Sequence, residues 1–220
     1  MATAYDEEPD DRISVEPSGE QISVEEYIKL RDASHEKLEY IDGVVYAMAG
    51  GTLAHSSIKV NLTGELRSRL RGSGCRVQDS DLQLMVSEGK YFYPDASVTC
   101  GEQQFPQPNA LGNPTLIFEV LSPSTANYDR SVKLPAYLKI PSIVAVALIH
   151  SESYFVELFA QSRDDGGELI ATQFRSFAGL DETVDLPGVD AAIPMRQLYE
   201  DVTLQPPREP EPKKAGGTIS

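Results

Sequence analysis

Apolar residues recur at roughly helical spacing through residues 54–71. They fall at Ile58, Leu62, Leu66 and Leu70. Basic side chains occupy the other faces, and Gly72 and Gly74 follow. This pattern predicts an amphipathic helix, the longest of the chain, that ends at the glycines.

Three shorter helices are also indicated. Ser23 and Glu26 have the spacing of a capping box, which predicts a helix that runs to about Asp32. Residues 127–139 predict a helix that Pro135 should kink, because proline lacks the N–H that a helix interior needs. A last short helix is expected within residues 194–201.

Short runs of β-branched and aromatic residues predict strands. These runs span residues 36–41, 44–48, 75–78, 82–86, 91–98, 116–121, 143–149, 154–160 and 168–174. Asp42-Gly43 between the first two is a strong hairpin signal. Residues 100–114 are rich in Gly, Pro, Asn and Gln and predict a long surface loop. Because strands outnumber helices and one helix falls within the run of strands, the order favours an α/β or α+β domain with a mixed sheet.

Composition adds two tails to this picture. The formal net charge is −15, and the first 20 residues carry seven acidic side chains against one arginine. We therefore expect a disordered acidic tail over residues 1–21, one folded domain over residues 22–204, and a second disordered, proline-rich tail over residues 205–220. The acidity that remains in the domain argues against a broad basic face for nucleic acid.

The cellular setting is predicted from what the chain contains. Two cysteines, Cys75 and Cys100, are too few for a disulfide framework and lack metal-site spacing, so we expect free thiols. The N-terminus is acidic where a signal peptide is basic, and the longest apolar run, residues 143–149, is too short to cross a bilayer. These features predict a cytoplasmic protein that does not bind membranes.

Three carboxylates fall within or beside predicted strands. Glu119 interrupts the apolar run 116–121, Asp95 follows Pro94 in an aromatic run, and Glu39 lies on the first strand of the Asp-Gly hairpin. An ionised carboxylate in a buried strand is costly without a compensating partner. A shared Mg²⁺ or Mn²⁺ ion would compensate all three, because these ions prefer oxygen ligands. The alternative is that each acid forms its own ion pair, edge or turn contact.

At these positions the sequence resembles a known family. The matching residues are Glu39 to Tyr46, His55, Pro94-Asp95, Glu119 to Thr125, Asp129-Arg130 and Lys133. They are similar to those of the Uma-two family, which is assigned to the PD-(D/E)XK, or restriction-endonuclease-like, nuclease superfamily. The resemblance runs from about Glu25 to Phe159 and implies a mixed central sheet flanked by helices. It also implies a divalent-metal site at Asp95 and Glu119, aided by Glu39, cleavage of phosphodiester bonds in nucleic acid, chiefly DNA, and a homodimer.

One residue departs from the superfamily signature. A lysine is expected two residues after the second acid, where this chain has Leu121. Lys133 on the following helix is the proposed substitute, which would orient the attacking water and offset charge in the transition state. The alternative is a surface pair between Asp129 and Lys133 at helical spacing.

Two further side chains are candidates for supporting the site. His55, at the start of the long helix, is either near the metal or a phosphate, or simply a residue of the capping turn. Gln83, on the strand before Asp95, is a weaker candidate for the same cleft.

The sequence thus predicts a Mg²⁺- or Mn²⁺-dependent endonuclease. A catalytically weak or silent nuclease fold that acts as a binding or assembly module is the alternative, supported by the acidic charge and by Leu121. Duplex contact would depend on Lys59, Arg67, Arg69 and Arg71, which could equally form the solvated face of the long helix. Hydrolysis of sugars by paired carboxylates is disfavoured by the lack of tryptophan.

Overall fold

The computed structural model describes residues 21–204 except Ala49 and Asp165. Within them the strands are β1 (Leu38–Ile41), β2 (Val44–Ala47), β3 (Cys75–Asp79), β4 (Gln83–Ser87), β5 (Lys90–Phe92), β6 (Ala96–Cys100), β7 (Ala110–Leu111), β8 (Leu116–Leu121), β9 (Ala145–His150), β10 (Phe155–Arg163), β11 (Leu169–Ala178), β12 (Thr183–Leu186) and β13 (Ala191–Pro194). The α-helices are α1 (Val24–Ala33), α2 (Leu53–Arg69), α3 (Ala126–Tyr128), α4 (Leu134–Tyr137) and α5 (Met195–Leu198). A π-helix, Asp129–Lys133, joins α3 to α4.

The strands of the described residues form a large, a small and a two-stranded sheet. The large sheet has the order β11-β10-β9-β8-β6-β3, and only its central pair, β8 and β9, is parallel. The small sheet has the order β2-β1-β5-β4-β7, and β12 pairs with β13. This mixed arrangement, with helices against it, confirms the predicted fold class.

Strand β8 is buried on both faces of the large sheet. Phe118 and Val120 pack against the apolar face of α2, in one core. Ile117 and Leu121 point the other way, into a core that includes Tyr137 of α4. Because side chains alternate along a strand, Glu119 shares the face of Ile117 and Leu121.

The chain crosses from the small sheet to the large one at Pro94-Asp95. Strand β5 belongs to the small sheet and β6 to the large one. The predicted single strand 91–98 is therefore wrong: proline cannot donate to a strand ladder, and the segment breaks there. Asp95 accordingly lies at the junction of the two sheets.

Other differences from the predicted elements have similar local causes. The predicted helix 127–139 is divided into α3, the π-helix and α4, because Pro135 cannot form the regular helical bond. The predicted loop 100–114 contains the short strand β7, which pairs with β4. Strands β12 and β13 were not predicted. The capping box of Ser23 and Glu26 and the hairpin at Asp42-Gly43 are both confirmed.

The cysteine prediction is wrong. Cys75 and Cys100 are joined in a disulfide. They are directly opposite partners in the antiparallel pairing of β3 with β6, with Cα atoms 4.0 Å apart. Their separation of 25 residues gave no sign of this pairing in the sequence.

The two predicted disordered tails stay predictions. The acidic tail and the proline-rich tail fall on residues 1–20 and 205–220, outside the described residues.

None of the helices in the described part of the chain is long and apolar enough to cross a membrane.

An ion cluster ties the π-helix to the large sheet and gives a testable pH dependence. Arg130 donates two hydrogen bonds to Glu157 of β10, and His150 of β9 lies 2.9 Å from the same carboxylate. The bond from Arg130 lowers the pKa of Glu157, against the opposing effect of burial. A carboxyl with a lowered pKa in the fold contributes stability at neutral pH, which is lost as pH falls through that pKa.

We therefore expect Glu157→Gln to reduce the free energy of unfolding by about 1 kcal/mol at neutral pH, since Arg130 is partly exposed to solvent. The loss should shrink toward zero in acid, because the native carboxyl is then protonated in the wild type too. Urea unfolding at a series of pH values measures it, with the exposed Glu152→Gln as control. A difference that does not change with pH would contradict the assignment.

Candidate active site

An open cleft of about 420 Å³ lies where the small sheet, the large sheet and α2 meet. Four acids line it: Glu39, Asp95, Glu119 and Asp129. Four basic side chains line it too: Lys37, His55, Lys59 and Lys133. The acids and Lys133 each have at most 9% of their surface exposed, so they form the floor of the cleft.

Lys133 is at the centre of the acid cluster. Its Nζ lies 3.0 Å from Glu39 Oε1, 3.3 Å from Glu119 Oε1 and 3.7 Å from Asp129 Oδ1. The side chain is almost fully buried. The Asp129–Lys133 pair therefore exists, but it is buried among other acids rather than lying on a helix surface.

Asp129 and Lys133 are the first and last residues of the π-helix, and their spacing of four keeps them on one face. The Leu134 N–H donates to the carbonyl of Asp129, five residues back, instead of four. Pro135 would clash with the carbonyl of Ser131 in a regular helix, so the turn before it widens. In the wider turn Asp129 and Lys133 both face the cleft.

Glu39 is held firmly on both carboxylate oxygens. Oε1 accepts from the Tyr93 backbone N–H at 2.8 Å as well as facing Lys133, and Oε2 accepts from the Tyr128 hydroxyl at 2.8 Å. Its position follows from the hairpin of β1 and β2, which places this residue on the cleft side. Glu39 is thus well placed to orient Lys133.

Asp95 is connected to Glu119 through the backbone. Its Oδ2 accepts from the N–H of Val120, the residue after Glu119, at 2.7 Å. His55 Nε2 lies 3.2 Å from the same oxygen, and Lys59 Nζ lies 3.7 Å from Oδ1. His55 also belongs to the capping turn of α2, since its N–H donates to Thr52. The capping interpretation of this histidine is thus confirmed, and its place near a metal or a phosphate stays a prediction.

The floor of the cleft contains more buried acids than buried cations. Burial raises the pKa of Glu119 well above its ordinary value, and the charges of Asp129 and Asp95 raise it further. Burial would lower the pKa of Lys133, but the surrounding acids outweigh it and raise that pKa, so the lysine is charged. Burial would likewise raise the pKa of Asp95, but His55 and the Val120 N–H together lower it. The fold thus favours the ionised form of Asp95 and disfavours that of Glu119.

This donor set fits a hard divalent cation in its chemistry. Such an ion would balance the excess negative charge of the carboxylates. It would also favour the ionised form of Glu119, which burial disfavours. Among the described residues, however, no three or more His, Cys, Asp or Glu side chains are already gathered at ligand spacing. A Mg²⁺ ion commonly takes only one or two carboxylates, with waters and substrate phosphates as the other ligands, so it does not require three gathered acids.

Of the six candidate site residues predicted from the sequence, five line this cleft: Glu39, His55, Asp95, Glu119 and Lys133. Gln83 instead accepts from Arg31 and donates to the hydroxyl of Tyr27, in the core under α1. Tyr128 and Tyr137, which hydrogen-bond the acids, were not anticipated, because nothing in their spacing links them to residues 39 and 119.

Comparison with known proteins now places the chain. The model of a family described as "Putative restriction endonuclease", Uma2, matches residues 24–195. The chain belongs to the Uma2 family. It is 38% identical over 151 residues to the uncharacterized protein slr1290 of Synechocystis sp., covering 68% of this chain and 79% of that protein. It is 32% identical over 146 residues to the uncharacterized protein sll1609 of the same organism, covering 65% of this chain and 82% of that one.

A solved structure shares the fold of this Uma2 protein. The crystal structure of a "putative nuclease belonging to DUF820" from Anabaena variabilis superposes with a TM-score of 0.65 at 19% sequence identity. The match covers 81% of this chain and 97% of that one. The predicted restriction-endonuclease-like fold and the resemblance to the Uma-two family are thereby confirmed.

Proposed function

We propose that this Uma2 protein is a Mg²⁺- or Mn²⁺-dependent endonuclease that hydrolyses phosphodiester bonds. One observation carries the proposal. Lys133 reaches Glu119 from a different element, although Leu121 occupies the usual place of the lysine. Together with Asp95, which accepts from the backbone N–H of the residue after Glu119, this supplies two acids and a lysine in the lining of one cleft.

The residues of the chain have distinct roles in this proposal. Asp95 and Glu119 would hold the ion, which would supply polarisation of the phosphate and a lowered pKa of water. The Lys133 ammonium orients the attacking water and offsets the negative charge of the transition state. Glu39 is a positioning residue for Lys133, since both of its oxygens are hydrogen-bonded within the protein. His55 fixes the orientation of Asp95.

A silent fold that serves as a binding module is the second candidate. It is favoured by the contacts of Glu119, which faces Lys133 and accepts from the Tyr137 hydroxyl at 2.7 Å, so that the acid has partners without any ion. Calorimetric titration separates the two, because a nuclease must bind Mg²⁺ or Mn²⁺ through Asp95 whereas a scaffold need not. The homodimer and the preference for DNA stay predictions.

The decisive test is Asp95→Asn, which keeps the shape of the side chain but removes its charge. Labelled single-stranded and duplex DNA are incubated with the protein and Mg²⁺ or Mn²⁺, with EDTA as blank. We expect metal-dependent cleavage by the wild type and a loss of at least about 100-fold in the variant. The exposed Asp190→Asn is the matched control. Equal cleavage by folded Asp95→Asn and wild type would reject the assignment.

A further inference from the structure

Two lysines of the cleft share one neutral acceptor. Lys37 Nζ lies 3.1 Å from Ser80 Oγ, and Lys59 Nζ lies 3.0 Å from the same oxygen. Like charges side by side repel unless an anion lies between or beside them. Lys37 pairs with Asp81, whose side chain is 81% exposed, and Lys59 faces Asp95 at 3.7 Å. If Asp95 holds a metal ion, Lys59 is left facing the cleft.

Aromatic side chains line the same opening. Tyr46 is the cross-strand partner of Glu39, so it lies on the same face of the small sheet. Its ring centroid is 6.2 Å from that of Tyr128, and both line the cleft. Tyr46 is half-buried, which leaves part of its ring available for contact. Exposed tyrosine faces are common platforms for the bases of single-stranded nucleic acid.

The depth of the acids limits what can reach them. The ionisable groups of the floor are at most 9% exposed, whereas a duplex carries its phosphates on a regular, stiff surface. The arginines at the end of the long helix lie away from this cleft, since Arg69 is bonded to Glu65 and Gln197, and Arg67 and Arg71 line a different pocket. A nucleotide splayed out of a single strand can enter the cleft.

We propose that the cleft binds single-stranded nucleic acid, with a phosphate held by Lys37 and Lys59 and a base stacked on Tyr46. This inference rests on the proposed nuclease function and specifies its substrate. The phosphate next to the one at the acid cluster is the group that the two lysines bind. Their contribution is electrostatic, and that of Tyr46 is stacking.

Fluorescence anisotropy tests this with Ca²⁺, an oxygen-liganded divalent ion, in place of Mg²⁺ or Mn²⁺, and gel electrophoresis of each probe after the measurement confirms that it stays intact. The probes are a fluorescein-labelled oligothymidylate, an oligouridylate and a DNA duplex of equal length. We expect the single strands to bind at least about tenfold more tightly than the duplex. The double variant Lys37→Ala/Lys59→Ala should reduce the slope of log K against log salt by about 0.7, the value for one neutralised phosphate of a single strand, and each single variant should reduce it by less. Tyr46→Leu should weaken binding roughly tenfold.

Arg67→Ala is the matched control, because it removes one charge from α2 away from the cleft and should change little. Circular dichroism melting confirms that each variant is folded. Any of three results would overturn the inference. The duplex binds as tightly as the single strands, none of the three probes binds, or the cleft variants bind like the wild type. Single-strand binding without any Mg²⁺- or Mn²⁺-dependent cleavage would reject the nuclease function alone, and cleavage of duplex without a single-strand preference would reject this inference alone.

Discussion

Lys133→Met is expected to abolish metal-dependent cleavage and to lower the free energy of unfolding by about 3–5 kcal/mol. The methionine fills a similar volume but leaves Glu39, Glu119 and Asp129 without the cation that they surround. Breaking a buried ion pair from one side is costly because the remaining charges stay buried. Urea unfolding and a cleavage assay on the same sample measure the two effects.

The pH dependence of this variant identifies the cause. Lowering the pH protonates the abandoned acids, so the deficit should shrink in acid. Adding Glu39→Gln to Lys133→Met should restore part of the lost stability, because it removes one of the unpaired charges, but should restore no activity. The exposed Lys139→Met is the control. Unfolding of Lys133→Met that matches the wild type at every pH would contradict the buried charge cluster.

Glu119→Gln is expected to separate stability from function. The amide keeps an oxygen that can accept from Tyr137, but it removes a negative charge that burial and two neighbouring acids disfavour. The folded protein should become more stable by about 1–2 kcal/mol near neutral pH, while Mg²⁺ binding and cleavage are lost. Thermal unfolding in EDTA and calorimetry with Mg²⁺ provide the two readouts.

The sign of the pH effect follows from the raised pKa of Glu119. The carboxyl stabilises the fold fully only when it is protonated, below its unfolded pKa, and this contribution is lost as pH rises through the folded pKa. The advantage of Glu119→Gln should therefore be small near the ordinary glutamate pKa of 4.5 and should increase as the pH rises above it. The exposed Glu152→Gln should show no such trend. A variant that is less stable than the wild type at high pH would mean that the Lys133 pair outweighs the burial of the charge.

Local signals in the sequence were enough for most of the elements. The capping box of Ser23 and Glu26 and the Asp42-Gly43 turn each depend on a few neighbouring residues, and both form in the structure. The run around Glu119 predicted strand β8 to the residue, because a fully buried strand is an uninterrupted apolar run apart from that one acid. Strand β12 alternates exposed and buried residues, but over only four positions, and β13 contains a single fully buried residue, so neither forms a run as distinct as that of β8.

The site itself was only partly accessible from the sequence. The acids could be chosen because a charge in an apolar context is anomalous wherever it occurs. The disulfide of Cys75 with Cys100 could not, since it depends on the register of two strands 25 residues apart. Gln83 was misplaced for the same reason: its strand was predicted, but which core its side chain enters is decided by α1.

The widened turn at Asp129–Lys133 also carries a consequence for the evolution of the family. Each residue of an α-helix rotates the next by about 100°, so removing one residue from this turn would swing Lys133 away from Glu119. Conversely, a relative could keep the lysine in its sequence and still lose the contact through a single deletion. Pro135 opposes this loss of contact, because it disfavours the regular helix that such a deletion would otherwise form. Counting residues between position 119 and the lysine, and checking for the proline, is therefore a more telling comparison between relatives than the presence of the lysine alone.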